Sequence, residues 1–141
     1  MEIFRKTTVI HLLICIQVFG LASHSFSADV QLPRITIEGL KNLMDNGADI
    51  VIIDTQPKKL YEMGGHIKGA VSLPWAKEID YADVRKLPSD KPLILYCDCG
   101  PGEEASNNVG NQLMELGFKN VKILADPSIR GWKEKGYPIE K

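Results

Sequence analysis

The chain has 141 residues, of which 44% are hydrophobic and 25% are charged, and its formal net charge is −1. A chain of this length folds as one ordinary domain around a single core. The near-neutral charge excludes the strongly basic surface that nucleic-acid binding requires, so no nucleic-acid partner is expected.

The first 27 residues have the pattern of a secretory signal peptide. The basic pair Arg5-Lys6 precedes a mostly apolar run at residues 7–21, and Ser25-Phe26-Ser27 supplies small residues around a cleavage position. The apolar run is too short, and too interrupted by polar residues, for a membrane-spanning helix of about 20 residues. We therefore expect an exported protein, periplasmic or secreted, that has no membrane association after cleavage.

The remaining residues alternate between strand and helix patterns. A short linker at residues 28–33 leads into a domain at residues 34–141, in which Thr36 is a plausible helix N-cap. Strands are predicted at 50–53, 71–73, 91–97 and 121–124, and helices at 37–46, around Leu60 and Tyr61, at 79–87, from Glu103 to Leu116 and at 129–135. This alternation predicts an α/β domain with a mainly parallel sheet.

A cysteine follows the most apolar of these strands. The apolar run Leu93–Tyr96 is followed directly by Cys97. The glycine- and proline-rich segment after the cysteine is predicted to form a loop, and a helix is predicted to begin at Glu103. A thiol at a helix N-terminus ionises more easily, and the thiolate is the nucleophilic form. The alternative is that Cys97 packs as a small hydrophobic residue at the end of its strand.

Cys99 lies one residue beyond Cys97 in the chain. Two cysteines so close together cannot connect distant elements, so Cys99 is a second nucleophile, a resolving thiol or a local disulfide partner. A bond between the two would close a small, strained ring, and strained disulfides are the easily reduced ones. The sequence leaves these three roles open.

Motifs along the whole predicted domain resemble those of a single rhodanese domain. They are Asp54-Thr55, Tyr61, Gly65-His66-Ile67-Lys68-Gly69-Ala70, Tyr96-Cys97, Ser106, Leu113, Gly117-Phe118-Lys119-Asn120-Val121, Leu124 and the segment from Gly131 to Pro138. The resemblance implies a rhodanese-like α/β fold with a five-stranded, mainly parallel sheet flanked by helices. It also implies that Cys97 carries sulfane sulfur as a persulfide.

The resemblance assigns further roles around Cys97. The persulfide would rest in a cradle of backbone N–H groups from Asp98, Cys99, Gly100, Gly102, Glu103 and Glu104. Supporting, structural positions would be Asp54, His66 and Ser106. The partner would be a small sulfur donor or a persulfidated protein, the sequence names no protein partner, and neither a cofactor nor a metal is predicted.

The loop after Cys97 departs from the usual rhodanese pattern in length and charge. The family's serine matches Ser106, so the loop is longer than is common, and it contains Asp98, Glu103 and Glu104 but no Lys or Arg. Both glutamates are predicted to be ordinary first-turn helix residues. Uncompensated acidic groups would repel thiosulfate, so we expect weak transfer from that donor.

Two functions therefore remain open from the sequence. The first is an exported sulfurtransferase of the thiosulfate or persulfide type that acts through Cys97. The second is a catalytically idle rhodanese-like binding module, or a thiol-redox protein that uses the Cys97 and Cys99 pair.

Overall fold

A computed structural model describes residues 30–141 of the chain. The predicted signal peptide at residues 1–27 lies outside the described residues. The strands are β1 Arg34–Ile35, β2 Val51–Asp54, β3 His66–Ile67, β4 Val71–Ser72, β5 Leu93–Tyr96, β6 Val121–Leu124 and β7 Ile139–Glu140. The helices are α1 Ile37–Asp45, α2 Lys58–Gly64, α3 Tyr81–Val84, α4 Glu104–Glu115 and α5 Ser128–Glu134.

Five of the strands form one sheet in the order β1-β6-β5-β2-β4, and every neighbouring pair is parallel. The register places Ile53 of β2 opposite Leu95 of β5 on one side and opposite Val71 of β4 on the other. The predicted five-stranded parallel sheet is confirmed. Because the strands are parallel, their carboxyl ends meet at one edge of the sheet.

Alternate residues of the central strands pack into two separate layers of the core, one on each face of the sheet. Leu93 and Leu95 pack in the layer that contains Val109 and Leu113 of α4. The intervening Ile94 packs in the opposite layer, with residues of α1 and α5. This alternation follows from the two-residue period of a strand, and it explains why both faces of β5 are apolar.

The helices begin and end close to the predicted positions, apart from α3. Thr36 caps α1, since its hydroxyl accepts a hydrogen bond from the backbone N–H of Gly39 at 3.0 Å. In the part of the chain that the structure describes, the longest helix has 12 residues, and none is long and apolar enough to cross a membrane.

The prediction of a helix over residues 79–87 is wrong in its extent. Only the four residues of α3 are helical, and Asp80 starts them by accepting a hydrogen bond from Ala82 N–H at 2.7 Å. Pro88 disfavours helical geometry at the residue before it, which limits the C-terminal end. The apolar spacing of Ile79, Val84 and Leu87 reflects packing against the core rather than a long helix.

Two short pairings were not predicted from the sequence. β1 adds a parallel edge strand beside β6, and β3 pairs antiparallel with β7 in a separate two-stranded sheet. Strands β1, β3 and β7 have two residues each, too few for an alternation to be recognised. Leu32, within the segment 28–33 that was predicted to be a linker, is buried in the core layer of α4.

Candidate active site

Cys97 lies at the carboxyl edge of the sheet, directly after β5. Cys97 is buried, with 2% of its surface exposed. A loop follows it, and α4 begins at Glu104. The sulfur of Cys97 is bonded to that of Cys99, and the two Cα atoms are 5.5 Å apart. This bond is the one that a local disulfide partner makes, and it is also the product of a resolving thiol.

The loop between Cys97 and α4 turns through three residues with positive φ. Gly100 and Gly102 have φ values of 75° and 97°, which glycine adopts readily, and Glu103 has a φ of 44°. The Glu103 N–H donates a hydrogen bond to Gly100 O at 3.2 Å. This amide is occupied within the loop, so it is not a free member of the predicted cradle.

Glu103 points into the protein and is 3% exposed. Its Oε2 lies 2.7 Å from Nη2 of Arg34 on β1, and its Oε1 accepts a hydrogen bond from Asp126 N–H at 2.7 Å. Asn107 Nδ2 donates to the neighbouring Gly102 O at 2.6 Å. The prediction that Glu103 is an ordinary first-turn helix residue is wrong, because it occupies the N-cap position and ties the loop to two distant segments.

Asp98 is also paired with a cation from outside the loop. Its Oδ1 lies 3.1 Å from Nε of Arg130 on α5, and the same guanidinium bonds Asp126. The expectation of an uncompensated acidic loop is therefore wrong for Asp98 and for Glu103. Asp98 and Glu104 are both exposed, and among the described residues Glu104 is the one of these three acids that has no ion-pair partner. Sequence reasoning missed the two arginines because both lie outside the loop in the chain.

Asp54 lies in a buried hydrogen-bond network beside β5. Tyr96 Oη donates to Asp54 Oδ2 at 2.7 Å, and the backbone N–H of Gln56 donates to Asp54 Oδ1 at 2.8 Å. Tyr96 Oη in turn accepts a hydrogen bond from Ile67 N–H at 3.0 Å. Burial raises the pKa of the Asp54 carboxyl, although these donors oppose the shift. The network braces the end of the strand that precedes Cys97.

Ser106 forms a second buried contact beneath the site. Its Oγ lies 3.2 Å from Thr55 Oγ1, and Thr55 Oγ1 donates to Tyr96 O at 2.9 Å. These bonds connect the first turn of α4 to the ends of β2 and β5. Ser106 is fully buried, so its placement is that of a support for the strand end rather than of a group open to a substrate.

His66 lies in β3, and it lines neither of the two cavities beside the cysteines that are described below. Its ring stacks on the Tyr61 ring with centroids 3.8 Å apart, and its Nδ1 is 3.2 Å from Tyr61 O. Its Nε2 is 3.9 Å from the carboxylate of Glu140 in β7. These contacts fix the small two-stranded sheet, and they give His66 no contact with either cysteine.

Two cavities meet at Cys99. The smaller, of about 150 Å³, is lined by Thr55, Gln56, Pro57, Leu60, Trp75, Cys97, Asp98, Cys99 and Ala105. The larger, of about 600 Å³, is lined by Val30, Gln31, Trp75, Cys99, Gly102, Glu104, Ala105, Asn107 and Asn108. Both cysteines border the smaller cavity, whereas the larger one reaches only Cys99.

Trp75 stands between the two cavities and was missed by sequence reasoning. Its indole Nε1–H donates to Asn108 Oδ1 at 3.0 Å, and its backbone N–H donates to Thr55 O at 3.0 Å. Gln112 Nε2 donates to the same Asn108 oxygen at 2.8 Å. The position of Trp75 just after β4 was a usable signal, because β4 ends at the same sheet edge as the strand before Cys97.

In residues 30–141, no group of three or more His, Cys, Asp or Glu side chains is arranged to hold a metal ion.

Comparisons with a curated protein and with solved structures point to the same family. The putative sulfur carrier protein YrkF of Bacillus subtilis is 27% identical over 112 residues, which are 79% of this chain and 57% of that protein. The chain therefore spans little more than half the length of this relative.

Solved structures show the same fold. The rhodanese-like domain of the Anabaena Alr3790 protein matches with a TM-score of 0.65 and 27% identity, over 78% of this chain and 80% of that one. The BH2092 protein of Bacillus halodurans matches with a TM-score of 0.67 and 24% identity, over 77% and 76% of the two chains. The family model described as "Rhodanese-like domain" matches residues 36–135, and the chain accordingly belongs to the rhodanese-like domain family.

Proposed function

We propose that this protein transfers sulfane sulfur through a persulfide on Cys97 and that Cys99 is the resolving thiol. The observation that carries the proposal is the pair of bonded sulfurs at the carboxyl end of β5, ahead of the N-terminus of α4. A helix N-terminus favours a thiolate at this point. The description of YrkF as a putative sulfur carrier supports sulfur chemistry for the shared domain.

The proposed steps need no cofactor. The Cys97 thiolate attacks the outer sulfur of a persulfide donor R–S–SH, so that the Cys97 persulfide forms and the thiolate R–S⁻ leaves. The Cys99 thiolate then attacks the inner sulfur of that persulfide. This second step gives the Cys97–Cys99 disulfide and releases HS⁻, and a dithiol reductant returns both cysteines to thiols.

A thiol-redox protein is the second candidate, because the same disulfide suits plain thiol–disulfide exchange. In that reaction Cys97 would attack the sulfur that carries the organic group, and a mixed disulfide with R would form instead of a persulfide. The catalytically idle binding module is the third candidate, and it would form neither adduct. The mass of the first adduct separates all three.

The test uses the protein after reduction with dithiothreitol, removal of the reductant and a brief reaction with cysteine hydropersulfide before acid quenching. We expect a mass increase of about 32 Da on Cys97, which dithiothreitol removes. An increase equal to the mass of the donor's thiol part would assign plain thiol–disulfide exchange. A reduced and folded protein that shows neither an adduct nor a re-formed Cys97–Cys99 disulfide would favour the binding module.

Export remains part of the proposal, supported by the basic pair, the apolar run and the small residues of the first 27 positions. We expect the protein recovered from its native cell to begin at Ala28 or Asp29. N-terminal sequencing of that material checks this. Recovery of Met1, or of a lipid-modified Cys15, would contradict it.

A further inference from the structure

We propose that the cavity of about 150 Å³ beside the cysteines binds the apolar organic group of a small persulfide donor, with Trp75 and Leu60 as the residues that determine specificity. This inference rests on the proposed sulfur transfer and names its donor class. The donor is an aryl or arylalkyl hydropersulfide whose uncharged ring lies against Trp75 while its terminal sulfur reaches Cys97.

The volume of the cavity sets the size of the group. An apolar cavity of about 150 Å³ in a protein core holds a benzene molecule. The cavity here has the same volume and opens at the nucleophile, because Cys97 is among its lining residues. A single ring joined by one carbon to the persulfide sulfur therefore fits, whereas a polycyclic group exceeds the space.

The lining of the cavity sets the polarity of the group. Pro57, Leu60, Trp75 and Ala105 supply apolar surface, and no Lys or Arg lines the cavity. Its one acidic group, Asp98, is engaged by Arg130 at 3.1 Å. A small dianion entering this space would lose its hydration without gaining a cation, which is unfavourable. An uncharged ring would instead bury apolar surface.

The position of Trp75 is fixed before any ligand arrives. Although Trp75 is 54% exposed, its indole N–H and its backbone N–H both make hydrogen bonds, and Asn108 is itself held by Gln112. A side chain that is already ordered loses little conformational entropy when a ligand binds. Aromatic rings pack well in offset or edge-to-face geometry, so a ring on the ligand is favoured over an aliphatic chain of equal area.

The experiment compares two donors on each of four proteins. Benzyl hydropersulfide and cysteine hydropersulfide are reacted with pre-reduced wild type, Trp75→Ala, Leu60→Ala and Leu116→Ala, and the second-order rate constant for consumption of the Cys97 thiol is measured for each pair. Leu116 is the matched control, because it is 48% exposed against 49% for Leu60 and lines neither cavity.

We expect wild type to prefer the benzyl donor by about tenfold, the factor that a favourable aromatic contact supplies. Trp75→Ala should remove most of this preference, Leu60→Ala should reduce it by about threefold, and Leu116→Ala should leave it unchanged. The cysteine donor serves as an internal control for folding, since a misfolded variant loses both reactions together. If Trp75→Ala does not fold, the donor preference of Leu60→Ala still tests the proposed binding site.

A binding measurement provides a readout that is independent of turnover. Benzyl methyl sulfide has no transferable sulfur, and we expect it to change the fluorescence of Trp75 on saturation. In Trp75→Phe the remaining tryptophan is Trp132, which is fully buried and donates its indole N–H to Pro138 O at 2.9 Å. The signal should therefore disappear in that variant.

The outcomes separate the two proposals. Adducts that form on Cys97 at equal rates from both donors, with ratios unaffected by Trp75→Ala and Leu60→Ala, would overturn the inference and leave sulfur transfer standing. If neither donor gives an adduct or a re-formed Cys97–Cys99 disulfide, sulfur transfer is overturned. In that case the fluorescence titration still decides whether the cavity binds the ring, and an unchanged signal would refute the binding site as well.

Discussion

Replacing Glu103 by alanine is expected to lower the free energy of unfolding by about 3 kcal/mol. The substitution leaves the Arg34 guanidinium without its carboxylate and the Asp126 N–H without its acceptor. Breaking a buried ion pair on one side costs about 3–5 kcal/mol, and the lower end applies because the Arg34 side chain is 32% exposed. Chemical denaturation monitored by circular dichroism measures the change.

The neighbouring Glu104 provides the matched control. It has the same side chain and begins the same helix, but it is exposed, so Glu104→Ala should change stability by no more than about 0.5 kcal/mol. A double variant, Arg34→Met with Glu103→Ala, should lose less than the sum of its single variants, because no charge is left unpaired. Equal losses for Glu103→Ala and Glu104→Ala would refute the assigned role of Glu103.

The second large effect is expected at Cys97. Cys97→Ser should reduce adduct formation to the background level, since a serine hydroxyl at neutral pH is a far weaker nucleophile than a thiolate. Cys99→Ser should keep the first sulfur transfer and accumulate the Cys97 persulfide, because the resolving thiol is gone. Intact-mass spectrometry of the reduced variants after reaction with cysteine hydropersulfide measures both.

Each of these two variants removes the same disulfide, so each controls for the stability lost by the other. The comparison therefore isolates the nucleophile. Loss of the adduct in Cys99→Ser, together with its retention in Cys97→Ser, would reverse the assigned roles. Retention in both would refute the assignment of Cys97 as the sole nucleophile, because either cysteine could then accept the sulfur.

The sheet and the place of Cys97 followed from local patterns in the sequence. The β-branched and aliphatic runs that became β2, β5 and β6 are short, continuous and bounded by turn residues, which is the pattern of strands buried on both faces. The change from an apolar strand through glycine to a helical pattern placed Cys97 at the sheet edge. Local composition carries this information because each element is a contiguous segment.

The charges around the loop could not be predicted in the same way. Whether Glu103 points outward or inward depends on Arg34, and that pairing exists only because β1 joins the sheet beside β6. A two-residue strand leaves no periodic signal. Trp75 was missed for a related reason, since its neighbours in the site come from α2, α4 and the loop after Cys97, none of which adjoins it in the chain.

The contacts of Glu103 also determine when the loop takes its final shape during folding. Glu103 is 69 residues from Arg34 and 23 residues from Asp126, so its conformation depends on contacts of long sequence separation. Such contacts carry a large loop-closure entropy and form after local ones. In a chain made from its N-terminus, Arg34 has no carboxylate partner until Glu103 has emerged, and Glu103 lacks its second partner until Asp126 follows. The two cysteines therefore lie in an unfinished loop until nearly the whole domain has assembled.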